Sequence, residues 1–237
     1  MSKSISLKPF ATLILLLLGY VITAFGQQTK TVMVQNVNEI NVSSDIDLYL
    51  SQGNTESVKI MTSGELLKNV LIEKNGTQLT IKYKDNVSWE LIFRGQKIKA
   101  YVSYKSLYAI SASGGSDVYT QNTIKTPRLN INASGGSDMR LDLMTQDLQV
   151  QASGGADVDL KGKATNMSIH SSGGSDINAF NFIVENARVK SSGGSDVQIH
   201  VTKALEASAS GGSDITFKGN ASLKNNSSKS GEVKSVR

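Results

Sequence analysis

Ser113-Gly114-Gly115-Ser116-Asp117 decides the fold, because the chain keeps returning to it. The motif recurs at 134–138, 153–157 (with Ala156 for the second Ser), 172–176, 192–196 and 210–214. The steps between copies are 21, 19, 19, 20 and 18 residues. Self-similarity at a near-constant period is the mark of an array of stacked units.

The residues before each copy alternate with period two, the signature of a strand with one buried face. The apolar positions are Tyr108, Ile110, Ala112; Leu129, Ile131, Ala133; and Leu148, Val150, Ala152. They continue as Met167, Ile169, Ser171; Ala187, Val189, Ser191; and Leu205, Ala207, Ala209. Polar residues such as Asn130, Asn132, Gln149, Gln151, His170, Arg188, Lys190 and Glu206 lie between them. After each Asp a second strand begins, with Val118, Met139, Val158, Ile177, Val197 and Ile215 pointing inward.

A unit of about 20 residues with two half-apolar strands cannot bury its face alone, whereas stacked units share one continuous core. Hairpins reversing at each Gly-Gly would give a barrel or sandwich instead. The solenoid is preferred because identical motifs suit in-register stacking, and the inward residue before each motif is Ala or Ser, as a tight corner requires. Two successive glycines allow positive φ, and Ser and Asp oxygens can satisfy turn N–H groups. Six coils at about 4.8 Å make a rod section roughly 29 Å long. The fold class expected is therefore all-β, a β-solenoid with six regular coils and a less regular β N-terminal half.

Four segments follow. Residues 1–26 read as a signal peptide: Lys3 and Lys8 precede an apolar run from Phe10 to Ala24, and Ala24-Phe25-Gly26 puts small residues at a cleavage site. Residues 27–107 form an N-terminal β region that caps or begins the same domain. It contains a degenerate motif, Asn41-Val42-Ser43-Ser44-Asp45-Ile46-Asp47-Leu48, and strand candidates at 58–61, 70–73, 79–83, 89–93 and 98–104. Glu73-Lys74-Asn75-Gly76 is a hairpin turn between two of them. Residues 108–220 are the regular coils. Residues 221–237, polar and basic, are expected to be a disordered tail.

With no cysteine, the chain has neither disulfides nor a residue for lipoprotein acylation. The net charge of +5 belongs to the ends: the signal segment and the tail carry all of it, leaving the body neutral. Nucleic acid, which needs a concentrated basic patch, is not an expected partner. No apolar stretch after residue 26 is long enough to span a membrane.

The tract from Tyr104 to Val118, with its recurring Ala-Ser-Gly-Gly-Ser-Asp, resembles the family called putative auto-transporter adhesin, head GIN domain. The resemblance covers roughly residues 36–220. It implies an exported protein of a Gram-negative bacterium and a right-handed parallel β-helix, related in architecture to polysaccharide lyases. It brings no catalytic residues. The chain carries no membrane barrel of its own, so self-transport is not implied.

The sharpest site candidate is the column Asp117, Asp138, Asp157, Asp176, Asp196 and Asp214. Stacked carboxylates repel by about 0.8 kcal/mol per pair at 5 Å in water, and either turn donors or a bound calcium ion would offset that. The turn-cap role is the simpler reading, and no cofactor is expected other than calcium at this column. A second candidate is a ligand surface of outward residues: Tyr119, Asn130, Asn132, Arg140, Gln149, Gln151, Asn178 and Gln198. A third is an aromatic platform for sugar rings made of Trp89, Phe93, Tyr101, Tyr104 and Tyr108, for which packing in the core or cap is the simpler role. His170 and His200 fall in different parts of their coils, and no metal-spaced histidines or nucleophile elbow is present.

The expected function is thus an exported binding or adhesin-like module, not an enzyme, presenting a solenoid face to glycan or protein. It would sit in the periplasm, on the outer-membrane surface or in the medium. The alternatives are a passive envelope assembly protein, with homo-oligomers of stacked rods, and a polysaccharide lyase or hydrolase.

Overall fold

The computed structural model describes residues 28–62, 64–84 and 97–236. The signal segment and the strand expected at 89–93, with Trp89 and Phe93, lie outside the described residues. The chain folds as an all-β solenoid of about seven turns.

The regular part runs from β8 (Ala109–Ser113) and β9 (Asp117–Thr120) through β10 (Ile124–Ser134), β11 (Asp138–Ser153), β12 (Asp157–Ser171), β13 (Asp176–Ser191), β14 (Asp196–Ala209) and β15 (Asp214–Lys218). Each long strand leaves one Gly-Gly corner, bends once and enters the next. Neighbours pair in parallel with like residues opposite: Asp138 with Asp157, Val150 with Ile169, Ala152 with Ser171. The inward columns are buried as expected, and Ile131, Val150, Ile169, Val189 and Ala207 are wholly so. Each such Val or Ile contributes about 1.5–3 kcal/mol of transfer free energy. One position departs from the pattern: Tyr108 is 48% exposed and Leu107 is buried in its stead. The strand starts only at Ala109, so the alternation read back from Ser113 does not reach Tyr108.

Corners close through the second Ser of the motif. Ser175 and Ser195, both buried, donate to the carbonyls of Ser172 (3.0 Å) and Ser192 (2.9 Å) and pair with the hydroxyls of Ser171 and Ser191. Ser213 accepts from the Ser210 N–H and donates to the carbonyls of Ser210 and Ser191. The second Ser thus caps each of these corners, and Asp196 accepts from the Asp214 N–H (3.3 Å) as the next coil leaves its corner.

The N-terminal half enters the stack out of chain order. β2 (Glu39–Ser43) and β3 (Ile46–Gln52) pair in parallel with β8 and β9, setting Ser43 opposite Ser113 and Leu48 opposite Val118. The degenerate motif therefore forms a true corner, with Ser44 (φ 72°) and Asp45 (φ 57°) in the places of Gly114 and Gly115. On its other side this coil is covered by β6 (Gln78–Tyr83) and β7 (Ile98–Tyr104). The two faces then end in antiparallel strands. β5 (Val70–Asn75) closes one through a two-residue turn at left-handed Gly76, and β4 (Ser57–Thr62) and β1 (Gln28–Met33) close the other. Buried Leu66, on the single helical turn α1 (Gly64–Leu67) between β4 and β5, joins the same core. Glu56, also buried, accepts from the N–H groups of Asn36 and Val37 (3.0 Å each) and ties down the link from β1 to β2.

The expected disorder of the tail is corrected. β16 (Ser222–Asn225) and β17 (Glu232–Ser235) add another coil, with Leu223 opposite Leu205 and Glu232 opposite Asp214. Ser228-Lys229-Ser230-Gly231-Glu232 is a disguised copy of the motif, and composition hid it. Gly231 takes the inward Ser position because a Cβ there would lie 2.3 Å from the Ala209 carbonyl carbon.

Corner packing gives a paired prediction. A Cβ on Gly193 (φ +75°) would sit 2.9 Å from the Gly173 nitrogen, whereas one on Gly155 meets nothing within 4 Å. Gly193→Ala should lose about 1–3 kcal/mol, and Gly155→Ala should change stability by no more than about 1 kcal/mol. Chemical denaturation of the two variants checks the contrast.

Candidate functional site

One outward face, formed by the strands that follow the corners, carries most of the side-chain chemistry. Its first row is acidic: Asp47, the six motif aspartates in register, and Glu232 at the far end. At the near end Lys97 reaches Asp47 (3.4 Å) and Asp117 (3.6 Å), and those charges, Asp47 first, hold its ammonium above the usual lysine range. Burial, then the charges of Asp138 and Asp176, raise the Asp157 carboxyl above its ordinary value. The row is a ladder rather than a cage: among the described residues no three acidic or histidine side chains converge as a metal ion would need.

The second row, two residues further on, begins with aromatics. Tyr101, Tyr49 and Tyr119 stack ring on ring, with centroids 4.8 and 5.3 Å apart. Arg140 follows, its guanidinium 5.6 Å from the Tyr119 ring centre. Arg140 also donates to the Tyr119 hydroxyl (3.2 Å), which in turn donates to Asp117 (3.2 Å). Asp138 (3.8 Å) and Asp159 (3.7 Å) flank the same guanidinium. Asp159, Asn178, Gln198, Thr216 and Lys234 complete the row.

Beside Arg140 the face opens into a groove of about 490 Å³. Tyr119, Thr120, Arg140, Asp142, Asp159, Lys161, Asn178 and Asn181 line it. Its far wall exists because the repeat is broken there. Register slips between Asp159 and Lys161, and again between Ala179 and Ile183, so Phe180, Asn181 and Phe182 have no counterparts in the next coil. Phe182 turns into the core, while Asn181 stays exposed opposite Lys161. Bulges of this kind recur beside binding and active sites because they re-aim side chains.

The expected ligand surface divides in two. Tyr119, Arg140, Asn178 and Gln198 share the row just described. Asn130, Asn132, Gln149 and Gln151 belong to the strands that precede the corners, where Asn130 and Gln149 line a separate hollow of about 350 Å³ with Tyr108 and Arg128. Nor does the aromatic platform assemble: Tyr104 is buried and Tyr108 lies at that separate hollow. Tyr101 instead joins Tyr49 and Tyr119, whose faces cover one another. His170 and His200 stand on different strand segments, one before a corner and one after.

Sequence reasoning missed Tyr49, Asp142, Asp159, Lys161 and Asn181. Repeat arithmetic would have found most of them. Tyr49 follows Asp47 as Tyr119 follows Asp117, and Asp142 and Lys161 each lie four residues after a motif Asp. The 20-residue step before the fifth copy carries the inserted residue of the bulge.

Residues 36–221 match the family profile described as putative auto-transporter adhesin, head GIN domain. The chain belongs to this family. Among solved structures, a putative adhesin from Bacteroides fragilis superposes with a TM-score of 0.81 at 23% identity, covering 89% of this chain and 97% of the other. A putative adhesin from Parabacteroides merdae gives 0.70 at 22%, covering 89% and 96%. A putative lipid binding protein from Parabacteroides distasonis gives 0.71 at 17%, covering 89% and 97%. At these identities the likeness is one of fold. No curated protein matches the sequence.

The acidic row yields a pH prediction. Because Asp157 binds its proton more tightly in the folded state, its ionised form opposes folding at neutral pH, and that penalty fades as pH falls through the raised value toward 3.8. Asp157→Asn should therefore stabilise the protein at pH 7, by about 0.2–1 kcal/mol for relief of cross-strand repulsion. The gain should fade as pH falls through the raised value and be lost by about pH 3.8, as thermal melts of both proteins across pH 3.5–7.5 would record.

Proposed function

We propose that the protein is an exported binding module of the cell envelope, in which the groove beside Arg140 receives a glycan. The reading rests on one observation: Arg140 is held before any ligand arrives, by the ring and hydroxyl of Tyr119 and by the carboxylates of Asp138 and Asp159. A guanidinium fixed in this way has little rotamer freedom left to lose on binding. Around it Asp142, Asp159, Asn178 and Asn181 offer planar carboxylates and amides, which pair with vicinal hydroxyls through two hydrogen bonds at once. Membership of an adhesin-named family supports binding as the general activity. Export rests on the reading of residues 1–26, and no helix among the described residues is long and apolar enough to cross a membrane.

Two other readings have an observation each. Arg140 and Lys161 beside Asp142 and Asp159 are the residue types that a polysaccharide lyase uses as base and acid neutraliser. The outer edges of β16 and β17 pair with nothing among the described residues, as an assembly protein built by end-to-end stacking would need.

A glycan array probed with the protein lacking residues 1–26 tests the proposal. A glycan should be bound, and Arg140→Ala should weaken it roughly ten-fold or more, as loss of a charged hydrogen-bond donor does. The melting temperature should hardly change. Absence of any glycan ligand, or equal binding by the variant, would sink the reading. Unsaturated sugar products from an acidic polysaccharide would replace it with the lyase, and concentration-dependent growth in sedimentation would favour assembly.

A further inference from the structure

The same outward face has a second margin, two rows beyond Arg140, with a different character. Register places Lys125, Met144, Lys163, Ile183, His200 and Lys218 in one line across six coils. Its first four members alternate lysine with an apolar side chain, and His200, which burial and Lys218 hold toward its neutral form, and Lys218 follow. Met144 and Ile183 are 41% and 48% exposed, among the few large apolar side chains left in water. Lys218 rests over the ring of Phe180, 5.2 Å from its centre, which adds an aromatic to the same margin. No ion pair joins Lys125, Lys163 or Lys218 to an acid among the described residues. The acid facing this margin from the next row is Asp142, opposite Lys161. Glu185, further round the bend, is already paired with Lys203 (2.6 Å).

We propose that this margin docks on an anionic membrane surface, the lysines meeting phosphate headgroups while Met144, Ile183 and Phe180 enter the boundary between headgroups and acyl chains. The chemistry of the row selects the partner. A soluble polyanion would pair with the lysines and leave Met144 and Ile183 in water. An uncharged bilayer would accept the apolar side chains and give the lysines nothing. A surface with negative charge above hydrocarbon satisfies both kinds of group along a row spaced at about 4.8 Å. The acidic row would oppose flat docking, but it lies six residues away along each strand, about 20 Å. That is beyond two Debye lengths at physiological salt, and the margin adjoins the bend of each coil, so a tilted rod can touch with the basic edge alone.

Residues 28–236 carry the whole described core, so the protein lacking residues 1–26 is the species to test; its removal also takes away the apolar N-terminal run. In flotation assays it should rise with phosphatidylcholine vesicles containing about 30% phosphatidylglycerol and stay behind with phosphatidylcholine alone. Lys163→Glu should lower the partition coefficient roughly five-fold or more, about one lysine's share of attraction to such a surface. Met144→Asp and Ile183→Asp, both at exposed positions, should lower it further, with melting temperatures and Arg140→Ala flotation unchanged. Failure to float with anionic vesicles overturns the proposal. So does flotation of Met144→Asp and Ile183→Asp at the wild-type level, which would leave charge attraction without insertion.

Discussion

The structure depends on how closely one Gly-Gly corner lies on the next. At Gly173 and Gly193 a single methyl group would press within about 3 Å of the backbone one coil below. That approach fixes the rung spacing at the corner, and the strands on either side must then pair residue for residue. The buried hydroxyl of the motif's second Ser makes the approach affordable, because it satisfies the turn groups that a corner without side chains leaves open. Where the pre-corner residue is Ser171 or Ser191, two hydroxyls share the task; where it is Ala, one suffices. The apolar columns fill the space that this arrangement defines, and they do not create it.

That hierarchy explains what could be read from the sequence. The motif and its flanking alternation carry both the corner and the core, so the regular coils and their inward residues were legible. The degenerate copy at 41–48 was visible too, since Ser and Asp hold left-handed backbone when stacking requires it. Tyr108 was misplaced because period-two reading has no means of sensing where a strand begins. The last coil was missed because Lys229 and Ser230 stand where glycine was expected, and a polar composition resembles disorder. The site was the least legible part. Its residues are brought side by side by register between coils, which no local pattern in one coil reports.

Regularity also tells where to look for chemistry. A solenoid repeats its surface as it repeats its core, and a ligand needs a place that differs from its neighbours. Here the departures cluster about one groove: the tyrosine stack ends, Arg140 begins, and, two coils on, the coil from Asp176 carries inserted residues. The face as a whole is polarised across its width, with carboxylates along the corner margin and lysines along the other.

The insertion of β2 and β3 between coils that follow them in the chain bears on how the molecule is made. Ile46 meets Ser116 across 70 positions, whereas neighbouring regular coils meet across 19. Closing the longer loop costs about 1 kcal/mol more in chain entropy, and nothing rewards it until its neighbours exist. Contact order therefore sets a direction opposite to that of synthesis. On that ground the C-terminal coils, which close by short-range steps, are expected to form before the first strands take their seats.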